Sequence, residues 1–162
     1  MGDSIAAAVR ATLQSSPQPT GWLILPGDLP LIRSDTLRQI GEALGRHQVV
    51  VPVYRKRRGH PVGFSMCCRS ELLDLKGNEG ARNVVLAYEA IELMVDDIGC
   101  VTDIDTVADL HAVEKLLNGM APLAADTFLK ALDAFQWGSA KVPMEKFCIR
   151  VSSNRQDVFR IK

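Results

Sequence analysis

The sequence carries no net charge, because its nineteen lysines and arginines are balanced by nineteen aspartates and glutamates. Without a field of one sign there is no long-range capture of nucleic acid or of an anionic membrane surface, and neither is expected as a partner. No apolar run has the length and purity of a membrane span. The opening residues, with Asp3 near the start, lack the basic region and apolar block of a signal peptide, so a cytoplasmic location is expected. Cysteine is sparse. Cys67, Cys68, Cys100 and Cys148 have the spacing of neither a zinc site nor a disulfide framework and are expected as reduced, mostly buried thiols. The one dense basic run, Arg55-Lys56-Arg57-Arg58, lacks the set of aromatic residues that stacks nucleobases, and reads as a solvated loop or a seat for an anion such as phosphate. Internal repeats and low-complexity tracts are absent.

What is present suits one domain with a real core: 162 residues, 47% of them hydrophobic. Trp22-Leu23-Ile24-Leu25 is a short apolar run, as expected of a strand buried on both faces of a parallel sheet. Pro26, Gly27, Asp28 and Pro30 stop it and set a carboxylate at its carboxyl end. That edge is where open α/β sheets bind ligands, although an Asp alone there also serves as a simple turn residue.

Periodicity predicts a helix over 3–13 with Asp3 or Ser4 as cap, and a second from Ser34 or Asp35 through Leu44, ended by Gly45. The β-branched run Val49 to Tyr54 predicts a second buried strand. Val62, Phe64 and Met66 alternate as in a strand with one face on a core. A short helix over 69–75, a turn at 77–82, a helix through about Tyr88 and a strand over 91–95 follow. Asp103 and Asp105 stand two apart, so in an extended segment both carboxylates point to one side, a metal-ligand spacing. Both are equally well read as helix-entry residues favoured by the macrodipole. Thr106 with Asp109 has the form of a capping box before a helix carrying Val107, Leu110, Val113, Leu116 and Leu117. Beyond Asn118 the pattern predicts a helix over 123–137 and two strands, over 145–152 and 157–161, joined as a hairpin.

Four motifs, Gly27-Asp28-Leu29-Pro30, Gly59-His60-Pro61-Val62, Gly77-Asn78-Glu79-Gly80-Ala81-Arg82 and Asp103-Ile104-Asp105-Thr106, occur in the order and spacing of a known family. The chain resembles the MobA-like nucleotidyltransferases, most closely the molybdenum cofactor cytidylyltransferases, which join CMP to molybdopterin. The similarity covers roughly residues 1–117. It implies an α/β fold: a truncated Rossmann-like, GT-A-like nucleotidyltransferase with a mixed sheet flanked by helices, residues 118–162 adding a helix and a β-hairpin packed on the same domain. It implies magnesium held by Asp28 with Asp103 or Asp105, the latter favoured, so that Asp28 and Asp105 are the catalytic carboxylates. It implies contacts to substrate from Gly27, Pro30, Gly59, His60, Pro61, Gly80 and Arg82, with His60 donating to a phosphate or pterin oxygen. CTP and a pterin are the implied substrates.

The chain departs from the pattern at Asn78, where the family has an acidic residue, and at Val107-Ala108, where it has Pro-Glu. The family's opening strand and Gly-rich phosphate loop have no counterpart ahead of Asp28, and the chain is expected to be the C-terminal part of such a domain. Two readings follow: a magnesium-dependent cytidylyltransferase lacking part of its nucleotide cradle, or a non-catalytic remnant serving as a binding or assembly module. In either, an edge uncovered by missing strands needs cover, and a homodimer is expected.

Overall fold

The computed structural model describes residues 1–14 and 18–106, the helical positions 108, 109, 111, 113 and 115, and the backbones of 147–151 and 156–160. The expected helix over 123–137 and the side chain of Cys148 lie outside the described residues. Helix α1 (Gly2–Leu13) leads to β1 (Gly21–Leu25), α2 (Ser34–Ala43), β2 (Val49–Tyr54), β3 (Arg57–Arg58) and β4 (Val62–Ser65). A 3-10 turn (Met66–Cys68), α3 (Arg69–Asp74), α4 (Arg82–Ala87), β5 (Ala90–Met94), a second 3-10 turn (Ile98–Val101), β6 (Phe147–Val151) and β7 (Gln156–Arg160) complete the order.

The strands form one mixed sheet flanked by helices, as in a Rossmann-like nucleotidyltransferase domain. β5 runs parallel to β2, whereas β4 is antiparallel to both β2 and β1. It follows that β1, β2 and β5 point the same way and end on one edge. The expectation of a β1 set among parallel neighbours is corrected here: its two hydrogen-bonded neighbours, β4 and β6, are both antiparallel. β1 still reads as a continuous apolar run because helices cover both faces of the sheet. Trp22, Val49, Val51, Val62 and Phe64 pack with Ile5, Val9, Leu72 and Val84 of α1, α3 and α4. Leu23 and Val50, one residue out of phase, pack on Ile40 and Leu44 at the other face. The predicted one-sided alternation of β4 fails for the same reason, and Met66 has already left the strand for a 3-10 turn.

Pro52 sits inside β2 without breaking it. Its carbonyl accepts from Gly59 N at 2.8 Å, so its missing N–H faces the same edge. On that edge β4 pairs only with Val49 and Val50 and β3 only with Val53 and Tyr54, and Pro52 falls in the gap between them. The segment Gly59-His60-Pro61 fills that gap.

The basic run proves to be a tight hairpin. Tyr54 pairs with Arg57, leaving Arg55 and Lys56 as a two-residue turn with φ of 47° and 68°. Such a turn requires left-handed backbone at both central positions, which asparagine and glycine adopt cheaply. Arginine and lysine pay about 1–2 kcal/mol each for it.

Helix ends differ from expectation in a consistent way. Neither Asp3 nor Ser4 caps α1, and neither Ser34 nor Asp35 caps α2, whose cap residue is Arg33. The start of α2 is held instead by Asp97, from the turn after β5. Its Oδ2 accepts from Arg33 N at 2.9 Å and Thr36 Oγ1 at 2.6 Å, and its Oδ1 from Gly99 N at 2.9 Å. The capping box at Thr106 is present: Asp109 N donates to Thr106 Oγ1 at 3.2 Å, and Thr106 N donates to Asp109 Oδ2 at 2.8 Å. These bonds hold the Asp109 carboxyl below its usual range.

Candidate functional site

The carboxyl ends of β1, β2 and β5 each release a loop carrying one of the singled-out motifs, and backbone contacts knit the loops together. After β1, the chain turns at Gly27-Asp28, and the Asp28 carbonyl accepts from Ile104 N at 2.9 Å. After β2 and its hairpin, His60 N donates to the Cys100 carbonyl at 2.8 Å. Two glycines permit these approaches. A Cβ on Gly59 would strike the Cys100 carbonyl, and one on Gly99 would strike the Leu31 carbonyl. The loops from β1, β2 and β5 are thus held to one another by backbone atoms, leaving the side chains of the motif residues available.

Those side chains converge. His60 keeps exposed surface yet is crowded by the surrounding loops, and the loss of water lowers its pKa from 6.5. The Asp28 and Asp103 carboxylates are near enough to work against that shift, Asp28 more strongly. Asp28, His60 and Asp103, from three loops, therefore share one electrostatic neighbourhood. Asp103 and Asp105 lie in the stretch 102–105, outside helix and strand, between the Ile98–Val101 turn and the capping box at Thr106. Both are exposed. Asp105 turns its amide toward Asp109 Oδ2 at 3.2 Å.

Gly27, Pro30, Gly59 and Pro61 belong to the loops of this cluster. Gly80 and Arg82 follow a different element, α3. Their segment packs on the start of α1, where Gly2 N donates to the Gly77 carbonyl at 2.8 Å and a Cβ on Gly80 would meet Met1 Sδ at 3.5 Å. Among the described residues, no hydrogen bond or ion pair joins Gly80 or Arg82 to Asp28, His60 or Asp103. Nothing in the sequence pattern singles out Asp97. A carboxylate followed two residues later by glycine marks a turn, but its partners Arg33 and Thr36 are some sixty residues away in the chain and leave no local signal.

Cys100 lies beneath this cluster. Burial pushes its thiol up to about 11, the Asp97 carboxylate adding to the effect and the Arg57 cation opposing it. Burial likewise raises Cys68 to about 12, so both are inert thiols at neutral pH. Cys67 is exposed, against the expectation of burial.

A model of the MobA-like NTP transferase domain matches residues 1–91, more than half of the chain. The chain belongs to the MobA-like NTP transferase family. Solved structures agree. The crystal structure of Rv0371c from Mycobacterium tuberculosis H37Rv is 34% identical over 67% of this chain and 58% of its own, with a TM-score of 0.57. A manganese complex of the same mycobacterial protein matches at 30% identity over 64% of this chain and 56% of its own, TM-score 0.53. A homologue from Mycobacterium sp. strain JC1 shares the fold at 23% identity and a TM-score of 0.53, over 67% of this chain and 55% of its own. This MobA-like chain thus spans less than two thirds of the length of these relatives. Among curated proteins, none matches it. No described helix is long and apolar enough to cross a membrane.

The donor set around His60 suits a hard cation. Among the described residues no three His, Cys, Asp or Glu side chains enclose a metal. Magnesium keeps several waters and is usually held by one or two carboxylates together with substrate phosphates, which is what Asp28 and Asp103 can offer.

Proposed function

We propose that this chain carries the acceptor half of a divalent-metal-dependent nucleotidyltransferase of the molybdenum cofactor branch, transferring CMP from CTP to molybdopterin. The observation that carries the reading is the convergence of Asp28, Asp103 and His60 from separate loops on the carboxyl edge of β1, β2 and β5. Asp28 and Asp103 are the proposed metal ligands, with Asp105 beside them. A metal bound there supplies positive charge to the transferring phosphoryl group and a template for in-line attack. His60, neutral at pH 7 because its pKa is depressed, has one N–H to donate and one lone pair to accept. It orients an oxygen of the acceptor without adding a second cation. Gly27 and Pro30 hold the turn that aims Asp28, Gly59 and Pro61 hold His60, and Gly80 and Arg82 border a more distant part of the substrate. The metal is proposed as magnesium. The manganese complex of the mycobacterial relative supports testing manganese beside it.

The experiment is an assay of pyrophosphate release from CTP with molybdopterin, with magnesium or manganese, for the chain and for Asp28→Ala. Release that requires metal and is lost in the variant supports the reading; metal-independent release unchanged by the variant contradicts it. A second reading is a non-catalytic binding or assembly module. It is favoured by the backbone of β6, which lies along β1 on the edge opposite β4 and closes the strand beside Asp28 from within the chain. Its mark is an intact fold and partner binding in Asp28→Ala with no turnover in either protein. In both readings the assembly is a homodimer in the cytoplasm.

A further inference from the structure

The hairpin of β2 and β3 stands next to the cluster and is left unexplained by it. Its four cations fall into two groups. Arg58 is bound to Glu92 at 2.7 Å, and Arg55 lies over the Tyr54 ring, 5.1 Å from its centre. Lys56 and Arg57 are exposed, and among the described residues neither has an ion pair or a side-chain hydrogen bond. Arg57 pairs with Tyr54 and so lies on the opposite face from Arg58, whose partner Val53 belongs to the other register. Its charge reaches the Cys100 thiol, whose backbone carbonyl anchors His60. The tip of the hairpin is also built in a costly way, with arginine and lysine in the two left-handed positions where asparagine and glycine fit freely. Strain of this kind persists where the side chains it presents are needed.

We propose that Lys56 and Arg57 form an arm that grips the phosphate of a ligand seated over Asp28, His60 and Asp103. The proposal rests on the site reading above and adds the ligand's chemistry: a phosphate ester or diphosphate, neutralised by cations that reach in from the β2–β3 hairpin. Arginine offers a fork for two oxygens and lysine a point charge, a pairing suited to a phosphate carrying more than one negative charge. The arm lies three residues before His60 in the chain, so a phosphate held by Arg57 brings the rest of the ligand to the imidazole.

The test uses inorganic pyrophosphate and inorganic phosphate as probes, titrated by calorimetry into the full chain in EDTA at low salt. Three proteins are compared: the wild type, Arg57→Gln, and the double variant R55N/K56G. The double variant relieves the turn, so its Tm is expected to equal or exceed that of the wild type. Pyrophosphate affinity is expected to fall on the order of tenfold in each variant. A preference for pyrophosphate assigns the arm to a nucleotide tail, and phosphate bound as tightly assigns it to a phosphomonoester. Wild-type protein that binds neither probe, or variants that bind as the wild type does, overturns the proposal. Because EDTA removes the metal, arm-dependent binding stands even if metal-dependent nucleotide transfer fails, and the reverse result sinks the arm alone.

Discussion

At the scale of single residues, His60 reports most directly on the site. Its folded pKa lies below 6.5, with burial as the largest cause and the Asp28 and Asp103 carboxylates opposing it. Between the depressed folded value and 6.5 the unfolded chain binds more protons than the folded one, so stability rises with pH in that window. The fold has the full His60 contribution above about 6.5 and loses it as the pH falls through the folded value. Replacing Asp28 by Asn removes an opposing carboxylate, and the His60 midpoint followed by NMR is expected to move further down; an unchanged midpoint would show that the two groups are not neighbours. Asp103 and Asp105 separate in the same way. Asp103→Asn is expected to lower the His60 midpoint and to weaken the proposed metal-dependent nucleotide binding more than Asp105→Asn does, and the opposite order in a side-by-side titration would move the proposed metal to Asp105. The sequence pointed to Asp28, His60 and the acidic pair through their motifs. Within the pair the resemblance favours Asp105, whereas the carboxylate that acts on His60 beside Asp28 is Asp103; the choice turns on the path of 102–105, which no periodicity encodes.

At the scale of elements, the site is held by Asp97 and two close-packed glycines. Asp97, 3% exposed, ties the first turn of α2 to the turn after β5 through Arg33, Thr36 and Gly99. Truncation leaves a hydroxyl and two amides to find new partners. We expect Asp97→Ala to cost about 2–4 kcal/mol in urea unfolding, and a loss below about 0.5 kcal/mol would show that the clamp carries little. Gly99→Ala, whose Cβ would strike the Leu31 carbonyl, is expected to cost about 1–3 kcal/mol and to loosen the loops around His60, visible as faster amide exchange at Ile104. Unchanged stability and exchange would mean the approach is easily relaxed. The strands and helices of 2–94 other than β3 were legible because their apolar runs and amphipathic faces are local. The caps of α1 and α2 were not, because the partner that holds α2 comes from a remote turn. The hairpin at Arg55-Lys56 was hidden by its composition, since it lacks the asparagine and glycine that announce such turns.

At the scale of the whole molecule, the sheet ends on β7 at one side and on β5 at the other, and among the described residues neither has a strand on its outer side. Met94, at the end of β5, is 65% exposed, and Leu86 and Ile98 are exposed nearby in the chain. An open edge with apolar side chains is a liability unless covered. The proposed homodimer is tested by light scattering at micromolar concentration: a doubled mass is expected, reverting to a single chain in Met94→Glu if β5 is the contact, and a strictly monomeric wild type would end the proposal. Family membership was legible from four short motifs in register, whereas the mixed strand order around β1 was not, because an apolar run buried on both faces looks the same beside parallel and antiparallel neighbours. The loops after β1, β2 and β5 are proposed to form one metal-dependent nucleotide site. Its most direct test is calorimetry of CTP binding to the purified chain with and without magnesium or manganese. Binding is expected to require the metal and to disappear in Asp28→Ala; binding that ignores both the metal and Asp28, or no binding under any of these conditions, would mean that the loops do not form such a site.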